Sequence, residues 1–395
     1  MNKPNLFLGF SLIVLSLILV SCITNVGINY TIFEKPEKGK KITQDLQLVL
    51  GKKDQSSIIK KTAIKTREDG RSLAYSSLGK KNDSRTSSMV KAWTYMLYLD
   101  ADNDLERDAL WDFEELEQAG GTNEDINVIV LFDRIPGYES SHGDWTGSRI
   151  YQVTADVSPI TIDSVLLEDL GEVNMGNPET LSNFLEYCFQ HFPAENYCLD
   201  LWDHGWGVYG LCPDETSIFG ETTEGESLAL TINAVQSVIT NVTTTYSTNL
   251  DVISMDACEM NTLEVAWELR DSCDYFIASE GTVNWEAYNY SAIIQKLHEN
   301  PALSPQALCE FMVEDYQNYY TTTRSPSSLS VIDQGKIKEI LPVMNNFVKE
   351  MISALSTPNY WFLFALARRY TQEFGPGTGD LIWYTGTWVT GTWCD

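Results

Sequence analysis

The feature that most limits how this chain can fold is an alternation of apolar runs and helical periodicity between residues 93 and 280. Six runs are typical of buried strands: "WTYMLYLD", "INVIVLFD", "RIYQV", "NYCLDLWD", "LDVISMD" and "DYFIASE". Segments with apolar residues at helical spacing separate most of them, among them "LERDALWDFEELEQAG" and "NPETLSNFLEYCFQHF". This alternation predicts an α/β fold, a mostly parallel β-sheet with helices on both faces.

The N-terminus has the pattern of an export signal. Residues 1–22 combine Lys3, an uncharged apolar run and a small residue before Cys22. The ending "LVSC" resembles a bacterial lipobox, in which the cysteine is lipidated, and an uncleaved anchor or an ordinary signal peptide are the alternatives. We therefore expect an exported protein, either a membrane-anchored lipoprotein of the cell envelope, held through Cys22, or a secreted one.

Charge divides the rest of the chain. Residues 31–91 carry 15 Lys and Arg against 7 Asp and Glu, a net of +8, whereas residues 92–395 carry 11 against 48, a net of −37. The basic stretch contains few aromatic residues, so we interpret 23–91 as a basic linker or pro-segment. Residues 92–395 form the predicted folded domain, with a helical part from about residue 300. The total of −28 argues against nucleic acid as a partner and favours cationic ligands.

A histidine and a cysteine follow two of the predicted strands. His204 comes just after "YCLDLW", and Cys258 comes just after "LDVISM". Because parallel strands present their carboxyl ends at one edge of a sheet, we expect the two side chains at the same edge. The sequence also places Cys258 immediately before a helix, whose N-terminus would favour the thiolate. Gly205 and Glu259 are candidates to present backbone amides to a carbonyl oxygen.

Metal binding receives little support from the sequence. The cysteines and histidines are too scattered for a zinc cage. "DADNDLE" at residues 100–106 has the spacing of a calcium loop, yet Leu105 replaces the glycine of the sixth position and Trp111 the glutamate of the twelfth. A capped turn between strand and helix is therefore the favoured interpretation of this stretch.

"DHGWG", followed 54 residues later by "MDACEMNTLEVAWEL" and preceded by "YMLYLDADNDLE", resembles the clostripain-like cysteine peptidases. The resemblance covers about residues 93–300 and implies a three-layer caspase-like fold. It implies an endopeptidase with His204 as general base and acid, Cys258 as nucleophile, and amides near Gly205 and Cys258 as the oxyanion hole. Its substrates would be proteins or peptides with Arg or Lys, recognised by acidic residues at positions that match Asp256 and Glu286.

The same resemblance bears on cofactors and activation. It implies that no cofactor is required for the chemistry, while calcium dependence among relatives leaves a structural calcium ion possible. Some relatives are processed at a basic residue between the histidine and the cysteine, but no Lys or Arg occurs between Arg149 and Arg270. We therefore expect a zymogen that is activated by cleavage in the basic stretch, for example at Lys52-Lys53, Lys60-Lys61 or Lys80-Lys81.

Other interpretations of these residues stay open. Asp256 could cap a helix, and Glu286 could be a solvated loop charge. A non-catalytic lipoprotein of the same fold that binds cationic peptides is the main alternative function. A different Cys/His hydrolase, such as an amidase, is a third, since the spacing of the two residues alone does not separate amidases from peptidases.

Overall fold

The computed structural model describes residues 90–156, 158, 160–216, 229–323 and 328–356, together with short strands between 373 and 394. Eight strands belong to one sheet: β1 Lys91–Ala101, β2 Ile126–Arg134, β3 Gly147–Gln152, β4 Val165–Gly171, β5 Ala194–Trp202, β6 Leu250–Asp256, β7 Cys273–Ala278 and β8 Ser330–Asp333. Their spatial order is β4-β3-β2-β1-β5-β6-β7-β8. The predicted signal peptide 1–22, with Cys22, and residues 23–89 of the predicted linker or pro-segment 23–91 lie outside the described residues.

The centre of the sheet is parallel and its margins are antiparallel. β1 pairs in parallel with β2 and β5, β5 with β6, and β6 with β7. β3 and β4 extend one margin in antiparallel fashion, and β8 does so at the other. Strand β1 thus lies between the two halves of the sheet, and the carboxyl ends of β1, β2, β5, β6 and β7 share one edge.

Helices cover both faces of the sheet. The helices are α1 Glu106–Gln118, α2 Pro178–His191, α3 Ile232–Tyr246, α4 Leu263–Glu268, α5 Tyr290–Glu299, α6 Pro305–Thr323, α7 Gln334–Ile337 and α8 Ile340–Leu355. Apolar residues of α1, α5 and α6 form one core with one face of β1, while those of α2, α3 and α4 form a second core with its other face. These three layers confirm the predicted fold class.

Local sequence explains where several helices begin. Asn177 accepts a hydrogen bond from the backbone N–H of Glu179, with Pro178 at the first helical position of α2. Thr231 and Thr262 cap α3 and α4 in the same way, through their side-chain hydroxyls. Each cap satisfies an amide that has no partner inside its helix, and so fixes the first turn.

The structure also contains elements that the sequence pattern does not predict. β4 is an edge strand with mostly exposed or half-buried side chains, and β8 has only four residues. The part after residue 300, predicted to be helical, contains α6, α7 and α8 but also β8 and four strands, β9 Glu373–Phe374, β10 Asp380–Tyr384, β11 Thr387–Gly391 and β12 Trp393–Cys394. Among the described residues, no helix is both long and apolar enough to cross a membrane.

Candidate active site

The sheet brings His204 and Cys258 to the same edge, as predicted. β5 and β6 are neighbours, and their register pairs Trp202 with Asp256. His204 and Cys258 therefore each lie two residues beyond a paired strand end. The backbone N–H of Asp203 continues the pairing with a hydrogen bond to the carbonyl of Asp256, at 3.3 Å.

Gly205 makes a close approach between these two segments possible. A Cβ atom at this position would lie 2.7 Å from the carbonyl oxygen of Cys258 and 2.9 Å from the Cβ of Ala257. Both distances are too short for a side chain, so the histidine segment can pack on the cysteine segment only with glycine here. The glycine that follows His204 thus allows the histidine segment and the cysteine segment to lie close together.

One nitrogen of the His204 ring is already engaged. Its Nε2 lies 2.8 Å from Oδ1 of Asp104, a residue in the turn after β1. In the neutral tautomer that donates this hydrogen bond, Nδ1 carries the free lone pair and is the atom that can accept a proton. The Trp206 ring stacks near the imidazole, with centroids 5.9 Å apart. Asp104 belongs to the acidic stretch 100–106, whose sequence favoured a capped turn and gave no sign of a contact with His204.

The Cys258 thiol is half-buried and lies against the segment after β7. Its Sγ accepts a hydrogen bond from the backbone N–H of Val283 at 3.3 Å. Burial raises the pKa of the Cys258 thiol, the Val283 hydrogen bond lowers it, and the charges of Glu259 and Asp256 raise it further. The net direction is upward, so Cys258 is held mainly as a thiol until a base removes its proton.

The prediction that a helix N-terminus activates Cys258 is wrong. Helix α4 begins at Leu263 and its cap is Thr262, so four residues separate the cysteine from the helix. A helix dipole acts only near the first turn, and it does not reach the thiol effectively over this spacing. Within the described ranges, the backbone amide that donates to Sγ is that of Val283.

The two backbone amides proposed for an oxyanion are available. Within the described residues, neither the N–H of Gly205 nor that of Cys258 donates a hydrogen bond. The amide of Glu259 is not available, because it donates to the carbonyl of Gly281 at 2.8 Å. Glu259 also has a left-handed backbone, with φ of 62°, which is uncommon for a residue with a side chain.

Asp256 is a buried carboxyl group beneath this edge. Its side chain is 4% exposed, and its Oδ2 accepts hydrogen bonds from the N–H of Tyr288 and the hydroxyl of Tyr290, both at 3.0 Å. Oδ1 has no partner among the described residues. Burial raises the pKa of Asp256, and the nearby charge of Asp200 raises it further. Because Thr262 caps the next helix, the alternative role of Asp256 as a helix cap is excluded.

Glu286 lies on the segment between β7 and α5 and is half-buried. Burial is the largest cause that raises the pKa of Tyr320, followed by the neighbouring Tyr316. The charges of Asp256 and Glu286 come next. Both carboxyl groups therefore act on the same hydroxyl. No hydrogen bond or ion pair joins Glu286 to Asp256 within the described part of the chain.

Among the residues that the structure describes, two groups of side chains at this edge could hold a cation. Their ligand atoms lie within 4.8 Å of one another, and the groups are Asp100, Asp203 and Cys212, and Asp102, Glu172 and Asp214. The first includes a thiol, which is a poor ligand for a hard cation such as calcium. The second consists of carboxylates only and fits a calcium ion. Burial is the main cause that raises the pKa of Asp102 to about 6 and that of Glu172 to about 7.

A neighbouring carboxyl group adds to the acidity of this region. Asp133 is fully buried, and its Oδ2 has no hydrogen-bond partner among the described residues. Burial raises the pKa of Asp133, and the charge of Glu172 is the next cause. A cation in the carboxylate group would offset this accumulation of buried negative charge.

Six cysteines lie between residues 90 and 356, and all six are free thiols. Four of these six are buried, whereas Cys258 and Cys273 are half-buried. Cys273 lies at the start of β7, at the opposite end of the strand from the site. It therefore provides a matched control for the reactivity of Cys258.

The sequence is similar to that of known proteins. The sequence profile of the Clostripain family matches residues 97–374. Clostripain from Hathewaya histolytica is 28% identical over 227 residues, which is 52% of this chain and 42% of that protein. The chain thus matches less than half the length of clostripain.

Two solved structures superpose on part of the chain. An inactive zymogen C11 protease from Parabacteroides distasonis superposes with a TM-score of 0.53 at 20% identity, covering 74% of both chains. A secreted C11 cysteine protease from Bacteroides thetaiotaomicron, solved with an irreversible peptide inhibitor, gives 0.49 at 21% identity over 63% of this chain and 68% of the other. The profile match extends over more than two thirds of the sequence and includes both strand-end residues, and the chain belongs to the clostripain family.

Proposed function

We propose that this protein is a cysteine endopeptidase that cleaves after Arg or Lys. The observation that carries the proposal is the placement of His204 and Cys258 two residues beyond paired strand ends. Gly205 packs directly on the backbone of Cys258. Acyl transfer requires a nucleophile, a base and donors for the oxyanion. This edge of the sheet offers a thiol, an imidazole with one nitrogen free and two unused backbone amides.

The geometry supports a definite order of proton transfers. Nδ1 of His204 removes the Cys258 proton as Sγ attacks the substrate carbonyl, and the amides of Gly205 and Cys258 hydrogen bond to the oxyanion. The imidazolium then gives the proton to the leaving amine as the C–N bond breaks. The acyl group stays on Sγ as a thioester. Water, deprotonated by the same imidazole, hydrolyses the thioester and restores the thiol. Asp104 keeps the ring in the required tautomer.

Charge supports the preference for basic substrates. Asp256 is the last residue of β6, and Glu286 lies in the segment between β7 and α5. The body of the protein is also strongly acidic, with a net of −37 over residues 92–395. A carboxylate in a shielded position selects a cationic side chain by charge and by hydrogen bonding.

A panel of fluorogenic peptides tests this proposal. Peptides with P1 Arg or Lys should be cleaved, and those with P1 Leu, Asp or citrulline should not. Asp256→Asn should lose on the order of 2–4 kcal/mol of discrimination between Arg and Leu peptides. This is the scale for leaving one partner of a buried charge pair unpaired. Asp274→Asn, at the exposed start of β7, is the control and should behave as wild type. Equal rates on Leu and Arg peptides would refute the pocket, and binding of basic peptides without turnover would favour the non-catalytic alternative.

A structural calcium ion is part of the proposal. Asp102, Glu172 and Asp214 would hold it and supply only hard oxygen ligands. Calcium in excess of its dissociation constant should raise the melting temperature of the Cys258→Ala protein above that in EDTA. Asp214→Asn should remove most of this shift. If the Cys258→Ala protein with its carboxylate cluster intact melts at the same temperature in calcium and in EDTA, the calcium site is contradicted, whatever the peptidase activity.

Export and anchoring complete the proposal. The signal pattern of residues 1–22 supports export, and the lipobox supports a lipid on Cys22. Cys22→Ala should move the protein from the membrane fraction to the soluble fraction of bacterial cells. Unchanged fractionation of this variant would argue against the lipid anchor.

A further inference from the structure

One tyrosine hydroxyl bridges two buried carboxyl groups beneath the active-site edge. The hydroxyl of Tyr290, on α5, lies 3.0 Å from Oδ2 of Asp256 and 3.4 Å from Oδ2 of Asp200. Asp200 is on β5 and is fully buried, and Asp256 is nearly so. The hydroxyl of Tyr95 also reaches Oδ2 of Asp200, at 2.5 Å.

The number of protons in this arrangement is limited. A hydroxyl has one proton and can donate to only one carboxylate at a time. When Tyr290 donates its proton to Asp256, its contact with Asp200 is favourable only if the carboxyl group of Asp200 is protonated. When Tyr290 donates to Asp200 instead, the carboxyl group of Asp256 must be protonated. Among the described residues, no ion pair involves Asp200 or Asp256, so no cation neutralises the two acids.

The surroundings keep the pair from ionising fully. Burial and the neighbouring charge of Asp200 raise the pKa of Asp256, and burial raises the pKa of Asp200 to about 6. The other titratable groups that face the pair are phenols, thiols and one further acid: Tyr95, Cys198, Tyr288, Tyr320, Cys258 and Asp112. Asp112 is held separately by the indole N–H of Trp202 at 2.7 Å. None of these groups supplies a positive charge at neutral pH.

Two oxygens of the pair, Oδ1 of Asp200 and Oδ1 of Asp256, are buried and have no hydrogen-bond partner among the described residues, and that of Asp256 is the one next to the nucleophile segment. Tyr288 and Tyr290 both bond to Oδ2 of Asp256, and Oδ1 has no partner in the described part of the chain. The carboxyl group lies two residues before the nucleophile, and the proposed recognition of Arg or Lys places the P1 side chain there. A guanidinium or ammonium group that reaches Oδ1 would favour the ionised form.

We propose that Asp200, Tyr290 and Asp256 form one proton-sharing unit, and that binding of a basic P1 side chain expels a proton from it. Asp200 and Tyr290 are thus positioning residues that set the charge of Asp256. The inference rests on the proposed recognition of Arg or Lys. The proton leaves the carboxyl pair for solvent buffer, and the substrate cation takes its place as the counter-charge, so net charge is conserved.

Calorimetry of the full chain with Cys258→Ala tests the proposal. A peptide with P1 Arg and its P1 citrulline isostere are titrated near pH 6 in buffers that differ in ionisation enthalpy. The slope of the observed enthalpy against the buffer enthalpy counts the protons released. We expect a release approaching one proton per Arg peptide, and none for the citrulline peptide.

Two tyrosine variants locate the effect. Tyr290→Phe removes the bridging hydroxyl and should reduce the proton release at least twofold and shift its pH dependence. Tyr288→Phe is the matched control, since it removes an equally buried hydroxyl that donates to the carbonyl of Met255, and should leave the release unchanged. Asp200→Asn should reduce the release as Tyr290→Phe does, and the tyrosine pair decides the question if this variant fails to fold.

The possible results distinguish proton sharing from the recognition of basic residues on which it rests. Arg peptide that binds with no buffer dependence from pH 5.5 to 7.5 would overturn proton sharing while leaving the recognition of basic residues intact. The same would follow from equal release with citrulline, or from equal effects of the two tyrosine variants. Failure of the Arg peptide to bind, together with no turnover of basic peptides by wild type, would overturn the proposed function itself.

Discussion

At the scale of single residues, Asp104 provides a direct test of how His204 is oriented. Asp104→Asn keeps the shape of the side chain but replaces the carboxylate that accepts the Nε2–H. Asp104 is 63% exposed, so the hydrogen bond is solvent-screened and its loss should cost about 1.4 kcal/mol, about tenfold in kcat/KM. Asp125→Asn, at the opposite edge of the sheet, should have no effect. Wild-type kinetics with Asp104→Asn would show that Asp104 does not orient the base.

The protonation state of Cys258 is a second test at this scale. Burial raises the pKa of the Cys258 thiol, so the thiolate should be scarce at neutral pH. The rate of alkylation by iodoacetamide should keep rising with pH up to at least about 8.5, the ordinary pKa of cysteine. A plateau below pH 7 would instead indicate a preformed thiolate-imidazolium pair. Mass spectrometry of the Cys258 peptide measures the rate without interference from other thiols.

The sequence predicted that His204 and Cys258 lie at one edge of the sheet, but not which residues contact them. His204 and Cys258 could be predicted because each follows an apolar strand, and parallel strands end at one edge. Asp104 bonds to a residue 100 positions away, and Asp200 meets Asp256 through Tyr290, contacts that no local pattern carries. The expected helix N-terminus at Cys258 failed because a turn precedes the Thr262 cap.

At the scale of secondary structure, the end of α3 offers a clean comparison. Ser247 follows the helix with φ of 52° and ψ of 45°, a left-handed conformation that glycine adopts with less strain. Ser247→Gly should therefore raise the free energy of unfolding by about 0.5–1 kcal/mol. Ser237→Gly, an exposed site inside the same helix, should lower it by a similar amount. Denaturant titration measures both, and equal signs for the two variants would contradict the assigned helix end.

The elements that the sequence predicted are those with a strong burial signal. β1, β2, β5 and β6 are buried along most of their length and appear as continuous apolar runs. β4 lies at the margin with exposed side chains, and β8 spans four half-buried residues, so neither has a pattern of period two or a long apolar run. The two outermost strands, β4 and β8, were therefore missed, whereas the six strands between them were predicted.

At the scale of the whole molecule, the separation of charge suggests how activity is controlled. Residues 31–91 have a net of +8, and the folded body has a net of −37. Opposite charges favour association of the basic stretch with the acidic body. We propose that this stretch inhibits the protein and is removed by cleavage at its own basic residues.

Expression without residues 1–22 tests this proposal. The wild type should be trimmed to a start near residues 81–91 with activity rising in step, whereas the Cys258→Ala protein should keep its full mass. Intact mass and peptide turnover, followed over time, measure both events. Full activity with the basic stretch still attached would exclude the inhibitory role.

The most direct test of the central claim, that Cys258 is the nucleophile of a site selective for basic residues, is active-site labelling. An acyloxymethyl ketone bearing P1 Arg should modify wild type and Cys273→Ala at Cys258 with one adduct per chain, and should not modify Cys258→Ala. The citrulline analogue should react much more slowly. An adduct on another residue, or undiminished labelling of Cys258→Ala, would contradict the account.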